Sequence, residues 1–278
     1  MKIAVTGGNG DMGRNLIPYL MEQGHSIVSV DRTVPPIPRP WPVNLPHYLV
    51  ADMTNFGEVV AVLRDCEAVI HLAAHRSPMN APDAVVYHDN TAGSYNVLSA
   101  ASALGIKRVC LASSINAIGG AFSRAARYDY FPVDERHPTY AEDPYGLSKW
   151  VLEQQGDAFA RRFEWMTIAS LRLHGLLEDR AKAVQYTTAA GVVAIRHLWA
   201  YTVLREASRA CLLSLTADFT GHEVFYIVAP QTSVTETSLD LARQYYPNTE
   251  VRGDLSDHAS FFNCAKAEKI LGWKHQEN

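Results

Sequence analysis

Tyr145 and Lys149 stand four residues apart in PYGLSKW, residues 144–150. On a helix that spacing is one turn, so both side chains share a face. A free phenol has a pKa near ~10, and a positive charge a few ångströms away lowers it by roughly 1–3 units. A tyrosine so placed can exchange a proton with a substrate hydroxyl near neutral pH, which is general acid–base chemistry. The pattern recurs by chance in many chains, so its meaning rests on what else the sequence provides.

A second chemical group lies at the start. Gly7, Gly10 and Gly13 in TGGNGDMG follow a short apolar run, KIAV (2–5), and precede a segment of helical spacing, RNLIPYLMEQG (14–24). In that context Gly7 permits a tight turn, Gly10 lets the backbone approach a pyrophosphate, and Gly13 lets helix and strand pack closely. With Asp11 and Met12 they open a helix whose free N–H groups favour phosphates. Asp31 ends the next run, SIVSVD, 18 residues after Gly13. A carboxylate there accepts hydrogen bonds from a ribose 2′-hydroxyl and repels a 2′-phosphate. The expected cofactor is therefore NAD rather than NADP, although the adjacent Arg32 is able to pair with a phosphate. Asp52, followed by Met53, ends HYLVADM (47–53) and either meets the adenine amino group or caps the next helix.

These groups need a scaffold. The first thirty residues read strand, glycine turn, helix, strand, with Pro18 in the helix's second turn. Six prolines in 34–46 predict a polyproline-like surface loop. FGEVVAVLRDC (56–66) reads as a helix, EAVIHLAA (67–74) as a strand, and 84–104 as a long helix closed by Gly105. KRVCLASS (107–114) and WMTIASLRL (165–173) are further strands, separated by a long connection and the helix opening near Tyr145. Such alternation predicts an α/β fold: a Rossmann-type doubly wound parallel sheet with a small mixed C-terminal substrate-binding part. The expected division is residues 1–174 for the cofactor and the catalytic groups. Residues 175–278 form a substrate part interleaved with them.

The 278 residues carry 47% hydrophobic and 19% charged side chains, which suits a packed domain rather than a disordered chain. A formal net charge of −4 with no basic stretch argues against nucleic-acid binding. Four scattered cysteines (Cys66, Cys110, Cys211, Cys264) favour reduced thiols in a cytoplasmic setting over disulfides or a metal site. MKIAVTGG turns to glycine too early for a signal-peptide core. The apolar stretch AAGVVAIRHLWAYTVL is interrupted by Arg196 and His197, so no membrane segment is expected.

TGGNGDMG, VIHLAA, LASSINAIGG and YGLSK, in this order, resemble the short-chain dehydrogenase/reductase superfamily, and within it the extended branch of NAD-dependent epimerase/dehydratase proteins. The likeness continues through LWAYTVLREASRA, FYIVAP and NCAKAEKILGWK and so covers nearly the whole chain. It implies that Tyr145 is the catalytic acid/base and Lys149 its activator, also reaching the nicotinamide ribose. Ser114 would hold the substrate oxygen, Asn90 matches the family's helix asparagine, and Leu72, Ala73 and Ala74 would lie along the cofactor. The chain departs from the pattern in three places. Ile118 replaces the usual tyrosine, LRLHGLLED lacks the asparagine of nucleotide-sugar enzymes, and Arg205-Glu206 replaces an Asp–Asp pair. With a tail of about 100 residues, these departures weigh against a nucleotide-sugar substrate. The layout is also similar to uronate dehydrogenases.

The resulting expectation is an NAD-dependent oxidoreductase moving hydride between the nicotinamide and a secondary alcohol or lactol, on a small carbohydrate or sugar acid. The alternatives are an NAD-retaining epimerase or dehydratase of a nucleotide sugar, and a catalytically silent dinucleotide sensor. His75, Asn116 and His174 are candidate substrate contacts, and Arg180 and Arg196 candidate carboxylate clamps. Arg172 reads as an ion-pair partner, His71 as a satisfied core residue, and Trp199 and Tyr201 as packing. Small residues on the two long helices predict a homodimer, in line with the family.

Overall fold

The computed structural model describes residues 1–36 and 45–276, so most of the proline-rich segment read as a polyproline loop lies outside the described residues. In β1 (Lys2–Thr6), Ile3 and Val5 join one apolar cluster and Ala4 the other. This two-sided burial is what a parallel strand covered on both faces requires. The chain continues through α1 (Asp11–Glu22), β2 (Ser26–Asp31), β3 (His47–Val50), α2 (Phe56–Leu63), β4 (Ala68–His71), α3 (Asp83–Leu104) and β5 (Arg108–Ser114). After a short β6 (Tyr130–Phe131) come α4 (Pro144–Arg162) and β7 (Thr167–Leu173).

The tail holds β8 (Leu176–Leu177), α5 (Arg180–Ala190), α6 (Val192–Arg196), β9 (Thr202–Val203) and α7 (Leu204–Thr216). It ends with β10 (Gly221–Ile227), α8 (Ser238–Tyr245), β11 (Glu250–Val251) and α9 (Ala265–Leu271). The main sheet has the order β10-β7-β5-β4-β1-β2-β3, with every pair parallel. The order reverses between β1 and β4, and in such sheets the crevice beyond the strand ends at that point receives a dinucleotide.

Several boundaries differ from the sequence reading for local reasons. The first helix begins at Asp11, not 14, because Gly10 takes an extended conformation (φ −70°, ψ 167°) and serves as its N-cap. The third strand stops at Val50. Asp52 does not extend it: its Oδ1 accepts from the Thr54 N–H and Thr54 Oγ1, each at 2.9 Å, and closes a turn. β4 stops at His71, which leaves Leu72 to Ala74 as loop. Gly105 ends α3 in the left-handed region (φ 73°).

Residues after 174 serve two places. β10 is an edge strand of the main sheet, α7 packs on α1, and α9 packs on β10 and α7, in a cluster that includes Leu204, Ala207, Cys211, Leu271 and the following Trp273. The remainder closes over the 115–143 connection in a separate cluster built on Tyr128, Phe131, Trp199, Tyr226, Phe261 and Phe262. Trp199 and Tyr201 are both buried. Among the described residues, no helix is long and apolar enough to cross a membrane.

Candidate active site

A cleft of about 1150 Å³ runs along the C-terminal ends of the strands. The catalytic, cofactor and substrate residues singled out in the sequence all line it, whereas the candidate clamps Arg180 and Arg196 do not. Its cofactor end is built from the glycine turn. Gly7 has φ +72°, and a Cβ there would lie 2.7 Å from the Ala73 backbone nitrogen. A Cβ on Gly13 would lie 2.5 Å from Gly7 O. Both contacts are with backbone, which cannot swing aside, so only glycine lets β1, α1 and the loop after β4 converge. The N-terminus of α1 has no side-chain cap, which leaves its N–H groups for an anion. Asp31 accepts from the Asn9 N–H at 2.9 Å and the Arg32 N–H at 2.7 Å, one on each oxygen. Each oxygen keeps lone pairs for ribose hydroxyls. The Arg32 guanidinium is drawn to Asp89 (3.2 Å) and Asp52 (3.7 Å). These residues fit a dinucleotide with two free ribose hydroxyls.

The catalytic end follows from the start of α4. Asp143 caps the helix by accepting from the Gly146 N–H at 2.8 Å. Gly146 is tight against the turn after β5: a Cβ there would lie 2.7 Å from Asn116 O. That contact sets the buried Tyr145 on the same cleft wall as the buried Ser114. Lys149, one turn on, donates to Ala112 O at 2.7 Å, and its Nζ lies 5.8 Å from the centre of the Tyr145 ring. Burial pushes the Lys149 pKa down to about 8, against the partly restoring charge of Glu153.

The expected lowering of the Tyr145 pKa by Lys149 does not occur in this structure. Burial raises it, and the Ser114 hydroxyl and the Arg76 charge only partly offset that. Burial is the largest cause, and the Lys149 ammonium is bonded to the Ala112 carbonyl.

Asn90 sits behind this pair. Its Nδ2 donates to Ser148 Oγ and to His75 O, each at 3.0 Å, and its Oδ1 accepts from the His75 N–H at 2.8 Å. It therefore ties the loop after β4 to α4. His75 turns its ring to Asp89 (3.0 Å). Asn116 and His174 reach the cleft, but their polar atoms have partners within the protein. His71 is buried in β4 with Nδ1 2.8 Å from Thr6 Oγ1. Arg172 forms the buried ion pair read from the sequence, with Glu153 at 2.8 Å.

Some contributors were not singled out in the sequence. Glu153 stands two turns after Tyr145 on α4; it accepts from Ser113 Oγ (2.6 Å) and Arg172 and so joins α4 to β5 and β7. Its helical spacing was a usable signal. Arg76 spans the cleft mouth to Asp11 at 2.5 Å, and Phe122, Tyr186 and His197 line the substrate end. None of these four carries a local sequence mark.

The sequence model of the NAD dependent epimerase/dehydratase family matches residues 3–177. A putative dihydroflavonol 4-reductase of Synechocystis sp. is 33% identical over 157 residues, 55% of this chain and 45% of that protein. A putative UDP-glucose 4-epimerase of Methanocaldococcus jannaschii is 28% identical over 188 residues, 64% of this chain and 57% of that protein. The matched stretches thus span about half the length of these curated relatives. Among solved structures, UDP-glucose 4-epimerase of Thermotoga maritima superposes with a TM-score of 0.71 at 22% identity, covering 99% of this chain and 94% of that one. Glucuronic acid dehydrogenase of Chromohalobacter salexigens gives 0.71 at 21% identity, covering 100% of this chain and 85% of that one. At such identities the likeness is one of fold. With the family match over residues 3–177, the chain belongs to the NAD dependent epimerase/dehydratase family.

Proposed function

We propose that the protein is an NAD-dependent dehydrogenase or reductase that interconverts a secondary alcohol or lactol and its carbonyl form. The observation that carries this is the convergence of Ser114, Tyr145 and, one turn on, Lys149 in the cleft that also holds the glycine turn. The nicotinamide supplies the hydride donor or acceptor. The N–H groups opening α1 bind the pyrophosphate, Asp31 the adenosine ribose, and Lys149 the nicotinamide ribose. Ser114 holds the substrate oxygen, and Tyr145 exchanges a proton with it. Burial keeps the phenol protonated at neutral pH, which suits it to donate to a carbonyl. A small carbohydrate or sugar acid is the substrate that the resemblance suggests.

In this reading residues 1–174 carry cofactor and catalysis, residues 175–278 shape the substrate end, and the enzyme pairs as a homodimer through α3 and α4. A monomeric mass in light scattering would remove the dimer. The second reading, an epimerase or dehydratase that retains NAD, is favoured by the fold shared with the Thermotoga enzyme. The two separate in one experiment: desalt the purified protein, denature it, and identify the released nucleotide by mass spectrometry. Near-stoichiometric NAD supports the recycling enzyme; an empty protein that binds added NAD reversibly supports the dehydrogenase. Tyr145→Phe should lower turnover by roughly 10²–10⁴-fold while NAD binding persists, and a fully active variant refutes the mechanism.

A further inference from the structure

Beyond Tyr145 the cleft is walled by Phe122, Leu176, Leu177, Tyr186, Val193 and Met79. Phe122 meets the Tyr145 ring edge-on, with centroids 5.8 Å apart, so an apolar ring flanks the acid/base itself. Met79, Tyr186 and Val193 are 81%, 43% and 45% exposed, so the mouth presents apolar surface to water. Covering that surface favours binding of an apolar body. A sugar requires the opposite, because every hydroxyl taken from water without a new partner is unfavourable.

Several of the polar side chains considered for a sugar are already bonded within the protein. Asn116 Oδ1 accepts from the Ala121 N–H at 3.1 Å, and its Nδ2 is 3.3 Å from Ser114 Oγ. His174 Nε2 donates to His197 O at 2.9 Å, and its Nδ1 accepts from the Gly175 N–H at 2.6 Å. The two arginines considered as carboxylate clamps are turned to backbone carbonyls: Arg196 to Ser123 O (3.0 Å) and Arg180 to Thr232 O (3.5 Å).

His197 differs. Its ring makes no hydrogen bond to any described residue, and it stands between the rings of Tyr186 (6.4 Å) and His174 (5.4 Å). The next two residues, Leu198 and Trp199, take left-handed conformations (φ 55° and 51°), which L side chains disfavour. Bonds from the Leu198 N–H to Ile195 O and the Trp199 N–H to Ala194 O, both 3.1 Å, hold that reversal. It directs the His197 carbonyl to His174 and leaves the His197 ring at the cleft wall.

We propose that the substrate is a ketone or secondary alcohol on an apolar ring body, aromatic or alicyclic, bearing one further hydrogen-bonding group that the His197 ring receives. This rests on the dehydrogenase reading above. In the reductive direction the carbonyl carbon gains hydride, with its two electrons, from the reduced nicotinamide nucleotide, which is thereby oxidised. The carbonyl oxygen gains a proton from Tyr145, which recovers one from solvent.

The test uses α-tetralone, its ring-hydroxylated analogue, glucuronate and UDP-glucose as probes. Binding to the NAD⁺-loaded protein is measured by calorimetry, and turnover of the ketones by loss of NADH absorbance. Both ketones should bind and be reduced, while glucuronate and UDP-glucose bind more weakly than either. His197→Phe should weaken binding of the hydroxylated ketone about tenfold, the worth of one hydrogen bond, and change α-tetralone by less than about twofold. His197→Gln should restore much of the loss. Ketones that do not bind, or a sugar probe that binds more tightly than both, overturn the proposal. An equal effect of His197→Phe on the two ketones overturns the assignment of His197. The dehydrogenase reading is judged separately, by Tyr145→Phe on whichever substrate reacts.

Discussion

Acidification from pH ~7.5 to ~4.5 probes two histidines that the fold holds neutral by burial. His71 is 2% exposed and His174 is 6% exposed. Burial pushes each pKa down to about 3, with the Lys149 charge adding to the effect at His71 and the His197 charge at His174. In the unfolded chain each returns to about 6.5. Between those values the unfolded chain binds the protons and the folded chain does not. Stability is therefore complete above pH ~6.5 and is lost as the pH falls, by roughly 1.4 kcal/mol per pH unit for each histidine. At pH ~4.5, two units below, that is roughly 2.7 kcal/mol each and about 5 kcal/mol together. A domain with only ~5–15 kcal/mol in hand would be near its unfolding point.

Urea unfolding followed by tryptophan fluorescence at several pH values measures this. His71→Asn and His174→Gln should each be less stable than the parent at pH ~7.5, through lost contacts. Each should also show a pH slope shallower by about one proton between pH ~6 and ~4.5. Burial also lowers His137 and His197, so the decisive quantity is the difference in slope between variant and parent. A variant whose slope equals that of the parent refutes the reasoning.

Asp31→Ala removes the carboxylate that would face a 2′-phosphate and leaves Arg32 beside it. The NADP-to-NAD preference, measured as a ratio of kcat/KM, should rise by at least about tenfold, as expected for loss of a charged hydrogen-bond acceptor; an unchanged ratio counts against the cofactor placement. Arg172→Met leaves the Glu153 carboxylate, 2% exposed, without its ion partner. The expected loss is roughly 3–5 kcal/mol in urea unfolding. A loss under about 1 kcal/mol would show that water or rearrangement reaches this site.

Local rules made much of the molecule legible. The glycine turn, Asp31 and the Tyr145–Lys149 spacing are read over a few residues. Each demands one backbone conformation or one helical face, and the structure places all of them on one cleft. Most strands out to β7 were legible as apolar runs, whereas the two-residue β6 carried no mark and β3 is only half-buried. Only tertiary packing decided the rest. Ser114 and Tyr145 share a cleft wall because Gly146 admits the Asn116 carbonyl, a contact no spacing rule expresses. β10 joins the main sheet from a tail that the sequence marked as a substrate part, because the edge left by β7 is completed by a distant segment. Asn116 and His174 are well placed for a substrate, yet their polar atoms are satisfied by backbone and by Ser114, while the unmarked His197 is left at the wall. The Tyr145 pKa rises where the sequence alone led one to expect a fall, because burial belongs to the fold. Residue type and short spacing fix which chemistry is available. Burial and the competition for hydrogen-bond partners fix which groups remain to perform it, and both depend on segments far apart in the chain.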